Sequence, residues 1–159
     1  MRRSKKAFTL VEILIVVIIL GILAAVVIPQ FSAASNDTRD SSVLTDLKTL
    51  RSQIQLYKAQ HADTYPTDFA NQMTLYTDIN GNTNTTYTST FRFGPYMLAV
   101  PANPYTGVNT VTTVTGAATA YSEAEDLNQG WWYNSTTGEI RCHVPNSKLT
   151  TDGRQVNQL

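Results

Sequence analysis

The chain has 159 residues, with 12 basic and 12 acidic side chains in balance, two histidines and a single cysteine. No basic stripe with interleaved aromatics is present, so nucleic-acid binding is not expected. One cysteine excludes an intrachain disulfide, and His61 and His143 are too few and too far apart in sequence for a zinc set or a Ser-His-Asp arrangement, so no enzyme is expected.

Residues 1–7 form a basic leader carrying Arg2, Arg3, Lys5 and Lys6. From Phe8 to Ile28 the chain is almost wholly Ile, Leu, Val and Ala, which predicts a membrane-spanning helix of roughly 31 Å, matching a hydrocarbon core of roughly 30 Å. Glu12 interrupts that run near its start. A carboxylate at such a depth is costly and calls for a cation. The leader's basic residues can snorkel only at the water interface, whereas cleavage between Ala7 and Phe8 would place an α-amino group at the head of the helix. Glu12 then pairs either with the amine of its own chain or with that of the next, and the second pairing builds a filament. A secretory signal ending at Ser32-Ala33-Ala34, or a plain anchor, accounts for the hydrophobicity but not for Phe8, Thr9 and Glu12 in this order.

The basic leader orients the span, keeping residues 1–7 cytoplasmic and sending the rest outward. Loss of the leader leaves 8 basic against 12 acidic residues, net −4. Gly21 and Ala25, four apart, permit close helix approach. Pro29 predicts a kink. Beyond it, Val43, Leu44, Leu47, Leu50, Ile54 and Tyr57 recur every three or four residues, an amphipathic continuation that carries the helix over residues 8–62 until Tyr65-Pro66 ends it. If continuous, the helix is a rod of roughly 80 Å.

Residues 63–159, rich in Thr, Asn, Gly, Tyr and Pro, read as a small β-rich domain. Strands are expected at Phe91–Phe93, Met97–Val100, Val111–Val114 and Thr119–Tyr121. A hairpin is expected from Trp131–Tyr133 and Ile140–Val144 around Asn134–Gly138, one face on the helix and the other in solvent. His61 and His143 are expected at the surface and Cys142 buried and inert. The fold class is α+β: a long N-terminal helix, half membrane and half amphipathic, packed on a small antiparallel sheet. Glu123, Glu125, Asp126 and Asn128 form one oxygen-rich cluster, a weak calcium candidate without the spacing of a dedicated loop. Otherwise neither metal nor cofactor is expected.

The octet around Ala7 and Phe8, the apolar run and Pro29 resemble the N-terminal signal of type IV pilins and type II secretion pseudopilins. The resemblance implies a pilin-like fold, cleavage before Phe8 and methylation of its amine by the prepilin peptidase/methyltransferase, and Glu12 as the assembly acid. It also implies local unwinding between Gly21 and Pro29 in filaments, and calcium in the final loops. Ala7 stands where the family usually has Gly, the mildest change a protease pocket can meet. Pro101–Gly107 is similar to the Pro-rich loop of pseudopilins, and Tyr65-Pro66 to their helix-ending pair; with the lone Cys142, these lean toward the major pseudopilin. Expected partners are further copies, an inner-membrane assembly platform, minor pilins and the membrane. The expected location is the inner membrane with the domain outside, then an extracytoplasmic filament. A membrane-tethered minor pilin, or an exported binding module, is the alternative.

Overall fold

The computed structural model describes residues 9–124 and 128–159, except for the side chains of residues 29 and 31–33, and divides into two units at Asn36/Asp37. Helix α1 runs Leu10–Gln60 without interruption in its assignment, through Gly21 and Pro29. It ends where the chain turns at Ala62 and Asp63, both in the left-handed region at φ 51 and 62, with the Asp63 N–H closing on Lys58 O at 3.1 Å. In the second unit the amphipathic period of the sequence becomes burial. Val43, Leu47, Leu50, Ile54 and Tyr57 are buried on one stripe, with Leu44 half-buried beside it. Short helix α2, Phe69–Thr74, is capped by Asp68 and adds Phe69 and Met73 to the same core.

Strands β1, Tyr76–Thr77, and β2, Thr83–Asn84, form a minimal antiparallel ribbon. Strands β3, Val111–Val114, β4, Trp131–Asn134, and β5, Ile140–Cys142, form the main sheet in that order. The β4–β5 hairpin forms as expected, with Trp131 opposite Cys142. Its connector is held by Asn134, whose side-chain oxygen accepts the Thr136 N–H at 2.9 Å while its carbonyl accepts the Gly138 N–H at 2.8 Å. Gly138 turns at φ +73 with the Tyr65 ring so close that a Cβ would fall 2.3 Å from it.

The main sheet is mixed where an antiparallel one was expected, because β3 runs parallel to β4 with Val111 opposite Trp131. The chain between them is long enough to cross over and return in the same direction, which a tight turn cannot do. Gly130 closes that crossover, and a Cβ there would lie 2.4 Å from Thr110 O. Three expected strands do not form. Phe93 makes one isolated bridge to Thr77, and Met97–Val100 and Thr119–Tyr121 are irregular. At the start of the second of these segments, Met97 and the preceding Tyr96 both give their N–H groups to Met73 O at 3.0 Å, which leaves no ladder to extend.

Two further expectations are corrected. Every residue of β4 is buried, so neither face of the hairpin meets solvent along that strand. Tyr121 packs edge-on to Trp132 at 5.5 Å, and its hydroxyl donates to Val144 O at 2.9 Å, which fastens the crossover over the far face. Both histidines are interior. His61 is 1% exposed, stacked on Tyr57 at 3.8 Å, with its ring nitrogens 2.8 Å from Tyr57 O and 3.0 Å from Thr77 Oγ1. His143 lies beneath the same crossover as Trp132, near Tyr121 and Thr112 Oγ1, and burial lowers its pKa.

Candidate functional site at the start of the long helix

Ala7 and Phe8 lie outside the described residues, so the described site begins at Thr9. The Thr9 hydroxyl accepts the Glu12 N–H at 3.2 Å, and Thr9 O accepts the first helical N–H, from Ile13, at 3.3 Å. Thr9 is therefore the N-cap of α1 and Glu12 its third helical residue, the Thr-x-x-Glu spacing of a capping box. This spacing is legible in Thr9-Leu10-Val11-Glu12 and adds a capping role to the acid expected to serve assembly. In the first turn the carboxylate also meets the positive end of the helix dipole. The capped start thus makes Glu12 cheaper to hold at the head of an apolar helix without giving it a counter-charge.

No counter-charge follows Glu12 along the apolar helix. Between Thr9 and Asn36 there is no Lys, Arg or His. Leu10–Ile28 is a stretch of 19 residues with mean hydropathy 3.3, long and apolar enough to cross a membrane, and none of it is buried within the chain. Its large apolar side chains are 49–82% exposed. At Gly21 an added Cβ would meet nothing within 4 Å, so that face is an open notch. A carboxylate in such surroundings can do one thing well, which is to accept hydrogen bonds from a cationic group brought to it.

Among the described residues the remaining candidates are not gathered into a site. Glu123 Oε2 accepts the Asn146 N–H at 2.7 Å, Asn128 is exposed, and Glu125 and Asp126 lie outside the described residues. Among the described residues no three His, Cys, Asp or Glu side chains are placed to share a metal ion. Cys142 is fully buried, and burial pushes its thiol up to about 12, with an Asn103 amide N–H at 2.9 Å. A thiol so placed stays protonated and unreactive.

The loop Pro101–Gly107 is organised around Asn103, which sequence reading did not single out. Asn103 is fully buried, its amide donates to Gly130 O at 2.6 Å and its side-chain oxygen accepts the Tyr105 N–H at 3.0 Å. The Trp131 indole donates to Pro101 O at 2.8 Å. The Tyr105 hydroxyl, in turn, donates to Asp40 Oδ1 on α1, and Thr151 N–H reaches Oδ2 at 2.7 Å. Burial pushes the Asp40 carboxyl up, but these donors outweigh it and hold the pKa below the usual carboxylate value.

Residues 2–28 match the model of the prokaryotic N-terminal methylation motif. The type II secretion system core protein G of Vibrio cholerae serotype O1 is 30% identical over 103 residues, covering 65% of this chain and 67% of that protein. The core protein G of Dickeya chrysanthemi is 36% identical over 67 residues, 42% of this chain and 43% of its own length. The type IV major pilin protein PilA of Myxococcus xanthus is 40% identical over 68 residues, 43% of this chain and 30% of the pilin. The chain spans less than half the length of several of these curated relatives. No solved structure matches at comparable stringency. An alignment of 103 residues necessarily passes the end of α1 and enters the β-rich domain, so the likeness is not confined to an apolar helix, and the chain belongs to the family of type IV pilins and type II secretion pseudopilins.

Proposed function

We propose that this chain is the repeating subunit of a filament, of the type II secretion pseudopilus kind, polymerised through its N-terminal helix. The observation that carries the reading is Glu12: a carboxylate at the capped start of a bare apolar helix, in a stretch from Thr9 to Asn36 that holds no cation. Cleavage between Ala7 and Phe8 by a prepilin peptidase, followed by methylation of the new amine, supplies the missing charge. The amine of one copy meets Glu12 of its neighbour, and the apolar helices then cover one another. Burial that the single chain does not provide for Leu10–Ile28 comes from the bilayer before assembly and from other copies after it.

In this reading the leader faces the cytoplasm and the domain lies outside the inner membrane, in the periplasm of a two-membrane cell. An assembly platform and minor pilins receive the subunit, and Pro29 and Gly21 let the helix bend or unwind during packing. Kinship to the core protein G relatives, with Cys142 alone and buried, favours the pseudopilus over a surface pilus. The presence of Glu12 favours a repeating subunit over a tip subunit, which has no copy ahead of it to match.

Replacing Glu12→Ala in a producing strain is expected to leave cleavage intact, so that N-terminal sequencing finds Phe8 first, while incorporation into sheared fibres is lost and exported cargo fails to leave the cell. Normal fibres from that variant, or a mature protein that retains Ala7, would overturn the proposal.

A further inference from the structure

The Asp37–Leu159 unit carries both a protruding apolar side chain and an acid-rimmed hollow. The hollow is a cavity of about 250 Å³ lined by apolar Leu44 and Leu159 and by Asp37, Asp40, Asp152 and Arg154. Three carboxylates stand there against one guanidinium. Asp40 is occupied by Tyr105 and Thr151, and Asp152 is paired with Arg154 at 2.7 Å. Asp37 is exposed, and among the described residues its carboxylate has no hydrogen-bond or ionic partner. Asp37 is therefore the rim acid that the described residues leave unpaired, while the Arg51 guanidinium is engaged on Leu159 O at 2.8 Å.

The protruding side chain is Leu98, 98% exposed. A lone surface leucine on a loose loop would mean nothing, but this one is held from both sides. The N–H groups of Tyr96 and Met97 are bound to Met73 O, the Tyr96 hydroxyl donates to Gln60 Oε1 at 2.7 Å, Val100 is buried, and Pro101 O holds the Trp131 indole. Its loop also carries Arg92, exposed, with the guanidinium 5.1 Å from the Phe93 ring centroid and no carboxylate partner among the described residues. The loop thus presents an apolar knob with one spare cation, complementary in chemistry to a hollow that pairs apolar Leu44 and Leu159 with an acidic rim.

Knob and hollow belong to opposite ends of the packed part of α1. The loop is tied to Gln60 and the hollow is built on Asp37 to Leu44, so about 24 Å of helix separates Leu44 from Gln60. The knob does not reach the hollow of its own chain. When it enters the hollow of another copy, the contact is head-to-tail and propagates instead of closing on a two-fold axis. The Glu12 pairing shifts copies by only about a helical turn, roughly 5.4 Å, so this longer offset reaches a copy farther along the same fibre.

We propose that in the filament the Arg92–Leu98 loop of one copy docks into the acid-rimmed hollow of another, with Leu98 on Leu44 and Leu159 and Arg92 beside Asp37. This interface rests on the filament reading and extends it from the helix to the domain. The test uses the full chain in a producing strain. A Leu98→Cys, Leu44→Cys double variant cannot bridge within one chain, since a disulfide needs Cα atoms within about 7 Å, and Cys142 is buried out of reach. Mild oxidation of sheared fibres is expected to give a ladder of dimers and higher oligomers, absent from the unassembled pool of the same pair carrying Glu12→Ala. In parallel, Arg92→Asp and Asp37→Arg are each expected to cut fibre yield about tenfold, and the two together to restore most of it. Intact fibres without a ladder overturn the interface while the filament reading stands. If the cysteine pair stops assembly, the charge exchange decides: recovery in the double variant supports the interface and its absence overturns it. Absence of fibres from the processed wild-type chain defeats the filament reading itself.

Discussion

One helix, α1, is solved twice by this chain. From Leu10 to Ile28 it is apolar on all sides but for Glu12, and none of the described residues covers it; from Val43 to Tyr57 the stripe of Val43, Leu47, Leu50, Ile54 and Tyr57 is covered by the domain. A side chain such as Leu or Ile gains about 1.5–3 kcal/mol when removed from water. The second segment collects that gain from its own domain, whereas the first must collect it from lipid or from other copies. The contrast separates what keeps a subunit folded from what makes subunits assemble, and it assigns each to different residues of one element.

The largest expected effect that could break this separation is on the covered stripe. Leu50→Ala is expected to lower the stability of the Asp37–Leu159 unit by about 2–5 kcal/mol through the cavity it leaves. Ile18→Ala, on the bare segment, is expected to change it by no more than about 0.5 kcal/mol. Denaturant melting of both detergent-solubilised variants checks the pair, and equal losses would erase the distinction.

A smaller effect tests whether the domain is self-sufficient at the junction between the Pro101–Gly107 loop and the sheet. Asn103→Ala leaves Gly130 O, inside the core, without its side-chain donor and frees the loop, at a cost of about 1–3 kcal/mol. The same melting experiment should also find Cys142, which Asn103 covers, reacting with a thiol reagent at lower denaturant than in the parent chain.

The smallest effect is in pH. His143 is held neutral by burial, with its pKa lowered from the ordinary 6.5. The unfolded chain therefore binds a proton that the folded one refuses, so His143's contribution is fully present above pH 6.5 and is lost as pH falls through the lowered folded value. Melting between pH 7 and pH 5, compared with His143→Gln, is expected to show a shallower loss in the variant. Any change confined to the apolar segment should leave this profile as it is.

The legible parts of the molecule were those written in local chemistry. The apolar run, its lone acid, the period of Val43 to Tyr57 and the Asn134–Gly138 turn each follow from neighbours a few residues apart, and α1 and the β4–β5 hairpin form where those signals lie. Thr9-x-x-Glu12 is equally local, and its Thr9 hydroxyl caps the helix where the spacing places it. The errors were non-local. Period-two alternation around Cys142 implied a solvent face opposite the helix, yet Tyr121, far away in sequence, covers Trp132 and His143. Short Phe- and Met-containing runs resembled strands, but Phe93 makes only one bridge, to Thr77, and the N–H groups of Tyr96 and Met97 go to Met73 O instead of a ladder.

By itself the sequence determined the apolar span, the helix and the family, because hydrophobic length, period and the N-terminal methylation motif are properties of consecutive residues and need no partner to be read. Only the tertiary structure decided that β3 runs parallel to β4, that both histidines are interior, and that Asn103 binds the Pro101–Gly107 loop to the sheet. Those outcomes depend on which distant segment arrives to satisfy a buried donor or cover an aromatic face, and a pattern of neighbouring residues carries no record of that choice.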